Sequence, residues 1–168
     1  MFKINLHSPS LKFILLIGVM SLFADMTYEA ARSITGPYLA SFGASATIIA
    51  FVAGLGEFLG YGLRFLAGYL ADKTQRYWSI TIIGYFINLL AVPALALAGN
   101  WYVASLFIVL ERIGKAIRTP PRDAMLSHAA SQVGTGWAFG LHQALDSGGA
   151  MIGPLIVGIV FYFKLTIS

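Results

Sequence analysis

Cysteine is absent from these 168 residues, which excludes disulfides and thiolate-ligated metals and says nothing about compartment. Charge is also scarce. Only 11% of the residues are Asp, Glu, Lys or Arg, against about 25% in an average soluble domain. The three histidines, His7, His128 and His142, are scattered and make no metal cage, and His7 and His128 are expected to be solvated. No glycine-rich phosphate loop, zinc-protease helix or nucleophile elbow is present, so neither an enzyme nor a cofactor is expected. What the chain has in excess is apolar surface: 58% of it is hydrophobic and its mean hydropathy is +0.77. That hydrophobicity comes in blocks with no amphipathic period, the pattern that lipid as solvent demands. The net charge of +4 sits in short segments between the blocks, with no interleaved aromatics, so topology accounts for it and nucleic acid does not. The expected fold is all-α and polytopic, with membrane lipid as its first partner.

The blocks predict five spans, at about 11–39, 47–71, 78–98, 101–118 and 137–163, in one transmembrane domain over 1–168. Lys3 and Lys12 before Phe13–Ala24 imitate a signal peptide. The apolar run continues into Asp25 and Glu29 without a small-residue cleavage site, however, so a retained first span is expected, ending near Gly36-Pro37. The third block carries no charge and covers about 30 Å at 1.5 Å per residue, one hydrocarbon thickness. Consecutive prolines cannot donate to a helical ladder, so the fourth span is expected to stop at Thr119-Pro120-Pro121. A connecting segment with Arg122, Asp123 and His128 would follow. Basic residues gather at the connections of one side: Lys3 and Lys12, then Lys73 and Arg76, then Lys115, Arg118 and Arg122. The connections Ser41–Ala46 and Gly99-Asn100 have none, and only Lys164 breaks the pattern. This asymmetry predicts a multi-pass cell-membrane protein with a cytoplasmic N-terminus. Trp78, Trp101, Tyr102 and Trp137 fall at span ends, as interfacial aromatics do.

Ionisable groups inside a bilayer cost roughly 2.5–3.5 kcal/mol each on insertion scales, so they face a protein interior, a cavity or one another. Asp25, Glu29 and Arg32 share one face of the first span by their i, i+4, i+7 spacing. Either they neutralise each other and lock packing, or their face lines a polar cavity. The second reading is favoured, with Glu29 paired to Arg32 and Asp25 the carboxylate left to titrate or bind a cation. Glu57 and Arg64 are similarly spaced in the second span, among Gly54, Gly56, Gly60 and Gly62, a small-residue surface suited to close packing. Adjacent Glu111 and Arg112 point to different faces of the fourth span, so one of them needs a partner on another helix. In the fifth span His142 and Asp146 are one turn apart, a pair able either to carry protons or to form a structural hydrogen bond.

Three stretches carry a family resemblance. The turn after the second span, with Gly68, Asp72, Lys73 and Arg76, resembles the signature loop of the major facilitator superfamily, although Gln75 stands where that pattern has glycine. Arg112 is similar to the superfamily's buried arginine, and Glu111 through Ala124 resembles a bacterial and archaeal subgroup of efflux permeases. Gly149, Gly153 and Pro154 resemble the helix-five motif of its antiporters. The resemblance implies the first five helices of an N-terminal six-helix bundle and proton-coupled export of a small solute by alternating access. It implies that Asp72 meets Arg112 or Arg118 near a helix end of a second bundle. Gly149, Gly153 and Pro154 would then bend helix five and let it slide against its opposite number. The transport and proton-coupling candidates are Asp25, Glu29, Arg32, Glu57, Arg112, His142 and Asp146.

Five spans fall short of the superfamily's usual twelve, so a sixth helix and a C-terminal bundle are missing from the expected set. A separately encoded second half, self-association or a remnant would each account for this. A rival of another class is a non-transporting membrane subunit held through the small-residue faces of spans two and five.

Overall fold

A computed structural model describes residues 8–167, so Lys3 and His7 lie outside the described residues. Five α-helices follow one another: α1 (Pro9–Ser41), α2 (Ala46–Thr74), α3 (Tyr77–Leu95), α4 (Trp101–Ala130) and α5 (Thr135–Ile167). No strand occurs among the described residues, and the fold is the all-α one expected of blocky apolar sequence. By length and composition α1, α2, α3 and α5 can each cross a bilayer. Helix α4, the expected fourth span, is not among them, and its Glu111, Arg112, Lys115, Arg118, Arg122 and Asp123 lower its hydropathy.

Local chemistry sets the turns. Ser45 Oγ accepts the Ile48 N–H to cap α2, and Asn100 Oδ1 accepts the Val103 N–H at 3.0 Å at the start of α4. Gln75 ends α2 in the left-handed region, φ 56° and ψ 20°, with its N–H on the Ala71 carbonyl at 2.8 Å.

Prolines end no helix where the sequence predicts a stop. Helix α1 runs through Pro37 to Ser41, and α4 runs through Pro120 and Pro121 to Ala130. The expected connecting segment with Arg122, Asp123 and His128 is therefore helical. Each proline forfeits one ladder hydrogen bond, but tertiary packing compensates: Pro121 is fully buried, and the Pro120 ring lies within van der Waals reach of the space beside Gly68.

The chain divides into two compact units over its described residues, 34–122 and 8–33 with 123–167. The first has a core of Leu39, Val52, Ala98, Ala104 and Ile108. The second has a core of Ile14, Leu126, Ala129, Ala130, Val133 and Ala138. Outward-facing side chains are apolar too: Phe58 is 73% exposed and Phe65 77%. Lipid or the apolar face of another helix makes such a surface favourable, and bulk water does not.

Candidate functional site

Within residues 34–122 the polar interior is built on α2, α3 and α4. Arg112 is buried, and its Nη1 donates to Glu57 Oε1 on α2. Gly56 makes this possible, because a Cβ there would overlap Arg112 Cδ and lie 2.8 Å from its Nε. The fourth span's need for a cross-helix partner is thus met by Arg112 and Glu57. Arg64 does not join them: its guanidinium lies 4.9 Å from the centre of the Tyr61 ring. Glu111 is buried as well. A Cβ on Gly54, Gly60 or Gly62 would meet nothing within 4 Å, so of the α2 glycines Gly56 and Gly68 are the ones that face a neighbouring helix among the described residues.

A second crossing joins α3 to α4. A Cβ on Gly84 would come within 2.5 Å of Arg118 N, and one on Gly114 within 2.5 Å of Asn88 N, so the two backbones touch. Asn88 Nδ2 donates to the Glu111 carbonyl at 3.0 Å across this contact. Arg118 is fully buried, with its guanidinium 4.6 Å from the centre of the Tyr85 ring. A buried cation on an aromatic face is an attraction worth about 2 kcal/mol when desolvated.

Within the other unit α1 and α5 lie side by side. A Cβ on Gly18 would strike Leu145 Cδ1, one on Gly149 the Leu22 carbonyl, and one on Gly153 the Met26 carbonyl. Contacts that climb both helices in the same order make the pair parallel, with small residues letting the backbones close. Gly149 and Gly153 therefore pack onto α1 of their own unit, and α5 runs unbroken past Pro154. His142 Nε2 and Ser21 Oγ, both buried, share a hydrogen bond of 3.2 Å across this pair. One turn further on, Asp25 is buried on α1 and Asp146 is half-buried on α5. Glu29 pairs with Arg32 at 3.6 Å near the surface. The trio of the first span is thus split: Asp25 is inside and Arg32 about half exposed.

The superfamily's sequence model, described as Major Facilitator Superfamily, matches residues 15–165. The chain belongs to the Major Facilitator Superfamily. Among curated relatives, the protein Rv2265 of Mycobacterium tuberculosis is 50% identical over 92% of this chain and 39% of its own length. The MFS-type transporter MJ1317 of Methanocaldococcus jannaschii is 35% identical over 94% of this chain and 39% of its own. The multidrug resistance protein MdtH of Photorhabdus laumondii is 29% identical over 71% of this chain and 29% of its own. The chain thus matches 39% of the length of the first two relatives. No solved structure matches it significantly.

At the superfamily's loop, Asp72, Lys73 and Arg76 are exposed. Asp72 accepts a hydrogen bond from Tyr77 Oη at 3.1 Å and makes no ion pair among the described residues, so the implied contact with Arg112 or Arg118 is not formed. Arg112 is committed to Glu57, and Arg118 lies over Tyr85. Gln75 spans the turn with Nε2 donating to the Asp72 carbonyl at 2.6 Å. Sequence reading missed Ser21, Tyr85, Asn88 and the glycine pair Gly84 and Gly114. Only the small-polar spacing Gly84…Asn88 on α3 and Gly114 on α4 could have signalled a close crossing.

Proposed function

We infer that this chain is the N-terminal portion of a secondary transporter that exports a small solute against an inward proton flux by alternating access. The observation that carries the reading is the Arg112–Glu57 pair between two helices, with Arg112 buried and the Glu57 side chain 40% exposed. Charges set so deep in apolar helices are costly unless they border water or each other. Asp25, His142 and Asp146 supply groups that can take up a proton, and the residues of the α2–α3 turn supply the gating loop. The protein sits in the cell membrane with its N-terminus cytoplasmic, on the basic-residue asymmetry.

Alternating access needs a second bundle to rock against, whether it is carried on the same polypeptide, encoded separately or supplied by another copy of this chain. The open faces at Gly54, Gly60 and Gly62 favour a helical partner there. They also support the second reading, a non-transporting subunit that packs against partner helices. The name of the multidrug resistance protein MdtH suggests drugs as cargo. Everted vesicles from cells expressing the chain, loaded with Hoechst 33342, test the reading. Energised vesicles accumulate dye, and both a protonophore and Asp25→Asn abolish that accumulation. Accumulation that ignores both rules out proton coupling, and in-membrane crosslinking to unrelated proteins alone favours the subunit.

A further inference from the structure

An open groove of about 600 Å³ lies between the first half of α2 and the first half of α4, walled by Phe51, Val52, Leu55, Trp101, Ser105 and Leu106 among others. No charged residue lines it. Its size is that of a small-molecule site, and such sites are mostly apolar with a few polar groups that fix orientation. One polar group is conspicuous by its state. Thr27, Ser33, Ser41, Thr74 and Thr119 each return their hydroxyl to a carbonyl three or four residues back in their own helix. Ser105 Oγ is buried and has no hydrogen-bond partner among the described residues. Thr81 Oγ1 is in the same state, but Thr81 does not line the groove. A hydroxyl that makes no bond loses none when its χ1 turns, so rotation into the groove breaks nothing and gains a partner.

We propose that this groove binds an uncharged lipophilic small molecule bearing one hydrogen-bonding group, which Ser105 Oγ engages while the aromatic rings of Phe51 and Trp101 flank the apolar body. A strongly hydrated charge is disfavoured, because the walls carry no ionised group to replace its hydration. The inference deepens the transporter reading by naming a class of solute. It is read by binding, without flux, so either can fail while the other stands.

The probe is N-phenyl-1-naphthylamine, neutral and lipophilic with one N–H. The purified chain carries Trp78→Phe and Trp137→Phe so that Trp101 alone emits, and it is reconstituted in phosphatidylcholine liposomes. Trp101 emission should be quenched saturably. Ser105→Ala should weaken the apparent affinity roughly tenfold, the worth of one hydrogen bond in a dry site. Leu55→Phe on α2 and Leu106→Phe on α4 fill the groove from opposite walls, and each should remove the saturable component. Circular dichroism confirms that each variant remains helical, and the two fillers lie on different helices so that one misfolded variant leaves the other to decide. Quenching that rises linearly with probe, as partition into lipid does, overturns the proposal. So does saturable quenching that Ser105→Ala or both fillers leave unchanged.

Discussion

Replacing Gly84 with alanine puts a methyl carbon within 2.5 Å of Arg118 N and 2.9 Å of Arg118 Cα. These are backbone atoms, so no side chain can swing aside, and α3 must move off α4. Overpacking of this kind costs about 1–3 kcal/mol. The same displacement stretches the 3.0 Å bond from Asn88 Nδ2 to the Glu111 carbonyl, worth about 0.5–1.5 kcal/mol. Against this stands alanine's helix propensity, a gain of about 1 kcal/mol over glycine. The net expectation is a loss of about 0.5–3.5 kcal/mol, after summing these terms. Gly60→Ala is the control: nothing lies within 4 Å of it, so only the propensity gain remains and the sign reverses. The assay is reversible unfolding of the purified chain in mixed micelles by titrated dodecyl sulfate, followed by circular dichroism. Gly114→Ala meets Asn88 N at the same crossing, so the double variant should lose less than the sum, since helices already parted accommodate the second methyl. If Gly84→Ala proves as stable as Gly60→Ala, the backbone contact between α3 and α4 is refuted.

Other expectations follow from the same packing. Arg112→Ala should destabilise by about 1.5–3 kcal/mol, the range for a hydrogen bond to a charged group, and a double-mutant cycle with Glu57→Gln should show strong coupling. Gly56→Leu, which fills the space that Arg112 occupies, should uncouple the pair to a similar extent in the same cycle. Gln75→Gly should relieve left-handed strain of about 1–2 kcal/mol, less the exposed side-chain bond to Asp72, and thermal unfolding should show no loss of stability. Gly153→Leu should part α1 from α5 and expose the Ser21–His142 pair, seen as faster solvent exchange at the His142 ring in 15N NMR.

The membrane class and the helices were legible because lipid imposes a simple rule: long apolar blocks, with charge confined to their ends. Partners were harder to read. Arg112 announced its need for a mate through adjacency to Glu111, yet which of several acids answered depended on Gly56, a residue whose role is only space. Ser21 and Asn88 are uncharged and less conspicuous than the ionisable residues, although a buried amide such as Asn88 is costly without the cross-helix bond it makes. The helix stop expected at Pro120-Pro121 failed because a local backbone rule was outweighed by burial of Pro121. Gly149 and Gly153 were legible as packing residues, but the sequence could not say that α1 is what they pack on. The glycine expected in the superfamily's loop is replaced by Gln75, and the backbone takes the left-handed conformation all the same.

The transporter reading requires water beside the charges of α2, and the cysteine-free sequence makes that directly measurable. Single-cysteine variants Glu57→Cys and Phe58→Cys differ by one residue and about 100° of helix. The membrane-impermeant reagent MTSET reacts with ionised thiols, which exist only where water reaches. The prediction is rapid labelling at position 57 and almost none at position 58 in native membrane vesicles. Equal protection at both positions would mean a dry interior, and the transport account would be contradicted.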